Sequence, residues 1–223
     1  MHPAFSVLFL TTLIGAGQGL FLALYTGQVY ALAHLLPAQG PDFYVGGSVL
    51  ALVLLVLGLV ASFFHLGRPE RAWRTATMWR TSWLSREVIV LPLVMGLVAL
   101  YGLAHGLGLT ARPWFSLAGL LPVDATLGLL ASLAVYALYV CTAMIYASVR
   151  FLPEWHSPLT VANFILLGMA SGFMLAAAYA AERGAPLVSF YGLWAVIFTL
   201  LGLAGRGLSL RRRGRLTPQS RLR

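Results

Sequence analysis

An all-helical membrane bundle with several spans is the fold this sequence predicts, and composition, apolar run length and arginine placement each point to it. Hydrophobic residues make up 60% of the 223-residue chain and charged residues 9%, with a mean hydropathy of +0.85. That is far too apolar for a soluble domain. Six stretches approach or exceed the ~20 residues a bilayer crossing needs. They run from Leu8 to Leu35, Tyr44 to Phe64, Val88 to Leu109, Leu127 to Val149, Val161 to Ala181 and Leu187 to Leu203. The bundle is expected to fill residues 1–205, with an interfacial loop at 65–86 and a basic tail at 206–223. The first apolar stretch has no positive charge before it and is too long for a signal-peptide core, so it reads as a retained helix.

All 15 basic residues are arginines, and a six-span threading puts 13 of them on one side. Five lie between Arg68 and Arg86, one is Arg150 and seven fall between Arg206 and Arg223; only Arg112 and Arg183 lie opposite. The positive-inside rule places both termini and the loop after the second span in the cytoplasm of a bacterial cell. The net charge of +9 comes largely from the tail. A basic tail beside a membrane serves to bind lipid headgroups or to dock an acidic partner. Arginines that track a membrane boundary in this way argue against nucleic acid.

The first span is dense in small and polar groups. Gly15, Gly17 and Gly19 form a face for close helix approach, with small-xxx-small spacing from Gly15 to Gly19. Gln18, Gln28, Thr11, Thr12, Tyr25 and Tyr30 are costly in lipid unless they bond a neighbouring helix or line a cavity. The same two readings hold for Asn163 in the fifth span and for Tyr136, Tyr139 and Tyr146 in the fourth.

The second span ends at His65-Leu66-Gly67-Arg68-Pro69-Glu70-Arg71-Ala72-Trp73. This sets a titratable ring and two arginines where lipid meets water, within reach of both a lipid-soluble quinone and solvent protons. The alternative is an interfacial histidine that merely ends the span. Gly67 and Pro69 favour a sharp turn into a short interfacial helix, from Glu70 to Leu84, whose Trp73, Trp79 and Trp83 suit headgroup depth. Ser85 is the expected cap of the third span, with Glu87 in its first turn. The Arg86 and Glu87 pair is a candidate for docking a redox partner.

The single cysteine, Cys141, excludes an internal disulfide and a four-cysteine iron-sulfur cluster, and reads as a packing residue. All five histidines, His2, His34, His65, His105 and His156, fall at or near span ends. Bis-histidine haem needs two of them buried on facing helices, so no haem is expected, although His34 and His105 share the side poor in arginine.

Four motifs in order carry a family resemblance: the opening His2 to Val7, the run Thr11 to Gly19, the His65 to Trp73 segment with Trp79 to Glu87, and Pro153 to Val161. Together they resemble the membrane-anchor subunits of the dimethyl sulfoxide reductase type, and the opening is most similar to anchors of cytoplasmic sulfite dehydrogenases. The resemblance implies a subunit that holds an iron-sulfur protein and a molybdopterin catalytic subunit at the membrane. It also implies exchange of electrons and protons with ubiquinone or menaquinone, with no redox group in the anchor itself. On that basis His65, Arg68, Arg71, Trp73 and Gln18 are the expected quinone residues, and Arg74, Arg80, Arg86, Glu87 and Glu154 the expected docking residues. Sulfite oxidation and reduction of an S- or N-oxide both remain open. The family usually has eight spans against six here, through either a natural short form or a truncated product. Two other classes compete: a purely structural anchor without quinone chemistry, since the arginine and tryptophan features could serve assembly alone, and a transporter, which would more often show related halves with broken helices, whereas no internal repeat is evident.

Overall fold

The computed structural model describes residues 5–64, 69–109 and 122–214. Its six long helices are α1 (Phe5–Leu32), α2 (Pro41–Phe63), α3 (Trp83–Gly106), α4 (Val123–Ala147), α5 (Pro158–Glu182) and α6 (Val188–Gly214). All six are long and apolar enough to cross a membrane, and no strand occurs among the described residues. Successive spans alternate in direction. The ends at Phe5 and Gly214 therefore share one side with the α2–α3 and α4–α5 connections, where the arginines gather. We call this the arginine-rich end and the other the far end.

Local chemistry sets the helix starts. α2 and α5 open on Pro41 and Pro158, whose fixed φ suits a first helical turn and whose missing N–H is not needed there. The Ser157 hydroxyl accepts the Leu159 amide at 3.2 Å and caps α5. α3 begins at Trp83, ahead of the expected Val88, because the Ser82 hydroxyl accepts the Ser85 amide at 3.4 Å. Ser82, not Ser85, is the cap. The interfacial segment is a 3-10 helix at Pro69–Met78 that packs on α3. α6 runs on past the expected Leu203 to Gly214, so Arg206, Arg211 and Arg212 are helical.

α1 is the axis of the bundle, contacting α2, α4 and α5; α3 closes the gap between α2 and α4, and α6 packs outside α5. The tightest approach is between α1 and α5. A Cβ on Gly19 would overlap the Gly168 carbonyl, and one on Gly172 would overlap the Gly19 backbone. The small face expected at Gly15 to Gly19 thus meets a matching Gly168-xxx-Gly172 face on α5, which lets the backbones touch. Leu20, Phe21 and Leu24 of α1, Val94 and Val98 of α3 and Leu138 of α4 are fully buried and form a dry central layer. Cys141 is free and buried in α4. On α6, Leu193, Val196, Leu200 and Leu203 face outward, as a lipid-facing helix requires.

Candidate functional site

Toward the arginine-rich end, α1, α4, α5 and α6 diverge around a cavity of about 810 Å³, bordered by Glu154 and Trp155 of the α4–α5 connection. Ligand pockets typically measure roughly 300–1,000 Å³ and combine apolar walls with a few placed polar groups. Gln18 is the deepest of these groups. It sits midway along α1, is 1% exposed, lines the cavity, and its Nε2 has no hydrogen-bond partner among the described residues. A buried amide donor left unpaired costs about 1–3 kcal/mol, so this position favours an acceptor in the cavity.

The walls carry aromatic and hydroxyl groups. Tyr146 of α4 stacks on Phe164 of α5, ring centroids 5.4 Å apart and 22° between planes, and meets Trp155 edge-on at 5.5 Å. All three line the cavity, so flat apolar faces bound its outer part. Tyr139 lines it too, but its hydroxyl donates to the Gly15 carbonyl at 2.8 Å and ties α4 to α1. Asn163 Nδ2 donates to Ser209 Oγ at 3.1 Å, joining α5 to α6, while its Oδ1 is buried over Gly205 without a partner among the described residues. Gly205 admits it because a Cβ there would overlap that oxygen.

One acid stands directly behind the wall. Thr142 lines the cavity, and its hydroxyl donates to the Glu87 carboxylate of α3, which is 8% exposed. The sequence places Glu87 at the surface beside Arg86 as a docking pair. It instead points into the bundle, because successive helical residues lie about 100° apart and cannot share a face. Arg86 takes the other direction: its guanidinium lies over Trp83 at 4.1 Å and donates to the carbonyls of Trp79 and Arg80 at 3.0 and 2.9 Å. That closes the interfacial turn onto α3.

Of the residues expected to hold quinone, Gln18 lines the cavity; His65 and Arg68 lie outside the described residues. Arg71 is exposed, 3.9 Å from Glu70, and Trp73 is 66% exposed with Arg74 above it at 5.5 Å. Neither borders the cavity. Phe64, which precedes His65 in the chain, lines a smaller apolar groove between α1 and α2 that shares Leu13 with the main cavity. Among the expected docking residues, Arg74 and Arg80 are exposed, Arg80 over Trp79 at 5.3 Å, and Glu154 borders the cavity with Arg206. Thr142, Phe164, Arg206 and Ser209 escape a reading of the sequence. Helical spacing from Tyr139 through Thr142 to Tyr146 is the available signal for Thr142.

The far end holds a different polar group. Gln28 Nε2 donates to Asp124 Oδ2, the Tyr101 hydroxyl donates to Gln28 Oε1 at 2.8 Å, and His105 Nε2 lies 3.6 Å from Asp124 Oδ2. His34, the other histidine of that side, is exposed in the turn after α1 with φ of 58°.

A sequence model of the family described as DMSO reductase anchor subunit (DmsC) matches residues 1–216. A sulfite dehydrogenase subunit of Allochromatium vinosum is 67% identical over 222 residues, covering 99% of this chain and 68% of that protein. No solved structure matches the chain.

Proposed function

The chain belongs to the DMSO reductase anchor subunit family, and from that premise we propose that it is the quinone-binding anchor of a membrane oxidoreductase, with its quinone site in the cavity around Gln18. The unpaired Gln18 Nε2, buried against about 810 Å³ of space, is the observation that carries this reading. A bound quinone supplies exchange of two electrons and two protons. Gln18 is placed to donate to a carbonyl oxygen, and Tyr146, Phe164 and Trp155 to flank a flat ring. Glu87, reached through the Thr142 hydroxyl, is placed to hold a proton at its carboxylate, a role that requires titratable groups within hydrogen-bond reach. His65 follows the groove-lining Phe64 and is the second expected proton carrier.

The anchor is proposed to sit in the bacterial cytoplasmic membrane with the arginine-rich end in the cytoplasm, in keeping with the positive-inside rule. There the exposed Arg71, Arg74 and Arg80 would meet an iron-sulfur protein that relays electrons from a molybdopterin subunit. The 67% identity to a protein of sulfite dehydrogenase favours sulfite as the donor over an S- or N-oxide as acceptor. The test is a quinone-analogue titration of the purified chain in lipid nanodiscs. Saturable binding that weakens about tenfold in Gln18→Leu, about 1.4 kcal/mol, supports the site; no saturable binding would leave a structural anchor.

A further inference from the structure

The far-end cluster takes no part in the quinone reading, yet it gathers two buried ionisable groups, His105 and Asp124. α3 ends by presenting His105 and α4 begins by presenting Asp124, each 4% exposed. The His105 ring is fixed on two sides, stacked on Tyr44 at 4.4 Å and edge-on to Tyr101 at 4.7 Å. Gln28 is oriented by Tyr101, which takes its Oε1 and leaves Nε2 for Asp124 Oδ2. Asp124 Oδ1 and His105 Nε2 have no hydrogen-bond partner among the described residues.

A bare carboxylate in that setting has one neutral donor and an uncharged ring beside it. Removing an ion from water costs several kcal/mol unless a counter-charge or proton compensates it. Among the described residues Tyr25 and Tyr44 also lie near Asp124, but they bring no positive charge, and Arg183 stands instead over Tyr179. Among the described residues the compensating positive charge available is a proton, carried on the imidazole or on the carboxyl group.

We propose that His105 and Asp124 form a proton-binding site at the far end of the bundle, holding one proton in common and insulated from the cavity around Gln18. Gln28 and Gln18 are ten residues apart on α1, about 15 Å at helical rise. The interval is filled by the fully buried Leu20, Phe21 and Leu24, with Val94, Val98 and Leu138 packed across from them. No polar side chain of α1 inside that layer bridges the two sites. The two sites thus lie on either side of a packed apolar layer, and only the arginine-rich end faces the proposed quinone.

Nitrogen NMR of histidine-labelled protein in lipid nanodiscs, with infrared detection of carboxyl groups, tests this at neutral pH. Comparison with His105→Gln assigns the ring, and Asp124→Asn keeps an acceptor for Gln28 so that the bundle can fold. The expected result is either an imidazolium at His105 or a protonated carboxyl at Asp124, lost in Asp124→Asn and unchanged in Gln18→Leu. A neutral His105 beside an ionised Asp124 would overturn the site, and a His105 signal altered by Gln18→Leu would overturn its insulation. The readout requires no quinone, so the two proposals can fail separately.

Discussion

The two ends of this bundle hold buried polar groups in opposite ways. At the far end Gln28, Tyr101, Asp124 and His105 turn toward one another, and aromatic rings fill the space around them. At the arginine-rich end the polar groups turn toward a cavity, and the Gln18 amide has no hydrogen-bond acceptor among the described residues. Burial of polar groups in a membrane is tolerated when they pair or when they line a cavity. This chain uses the first solution at one end and the second at the other. A polar side chain in a span is informative only once its partners are known, since Gln18 and Gln28 look alike in sequence.

The contrast depends on α1 running unbroken through both ends, so the largest effect should come from forcing α1 and α5 apart. Gly172→Leu would drive its side chain into the Gly19 backbone. Because the obstruction is backbone, it cannot rotate away, and folded protein recovered from membranes should fall to near background, as read by gel filtration in detergent. Asp124→Leu should come next. It strands Gln28 without its acceptor and removes the carboxylate beside His105, a loss of about 1–3 kcal/mol for the buried donor left unpaired, measurable as lowered thermal stability with quinone binding retained.

Gln18→Leu sharpens the comparison from the other side. It removes an unpaired donor, so stability should hold or rise slightly while quinone-analogue affinity falls about tenfold; the same change that harms function should not harm the fold. Thr142→Val should act more weakly. It breaks the link to Glu87 and should slow quinone-coupled turnover several-fold with little change in analogue affinity, a split that steady-state kinetics of the assembled complex would reveal. The smallest effect belongs to Arg86→Lys, which keeps the charge but loses the planar stack on Trp83, about 1 kcal/mol at this half-buried site.

Much of this is legible in the sequence for a simple reason: bilayer thickness imposes a minimum apolar run, and six such runs stand out. Run length does not locate helix ends, because backbone hydrogen bonding continues past the edge of the hydrophobic stretch. α6 therefore reaches Gly214 through Arg206 and Arg211. Gly15 to Gly19 is readable as a contact face, but its partner on α5 is not, since Gly168 and Gly172 lie in an ordinary-looking apolar span. Gln18 is found by its cost in lipid. The burial of Glu87 against Thr142 is not readable, because adjacency to Arg86 suggests a surface pair, whereas the helical step sends the two in different directions. The far-end cluster escapes notice because its members are scattered from Gln28 to Asp124, and the fold alone brings them together.

The central claim is that quinone binds in the cavity between α1, α4 and α5, and photo-cross-linking addresses it most directly. The purified chain in nanodiscs would be irradiated with an azidoquinone and the labelled peptides mapped by mass spectrometry. Labels on the α1 segment around Gln18 and on the stretch from Tyr146 to Phe164, displaced by excess unlabelled quinone, are the predicted result. Competitive labelling confined to the far-end segments around His105 and Asp124, or to the outer face of α6, would contradict it.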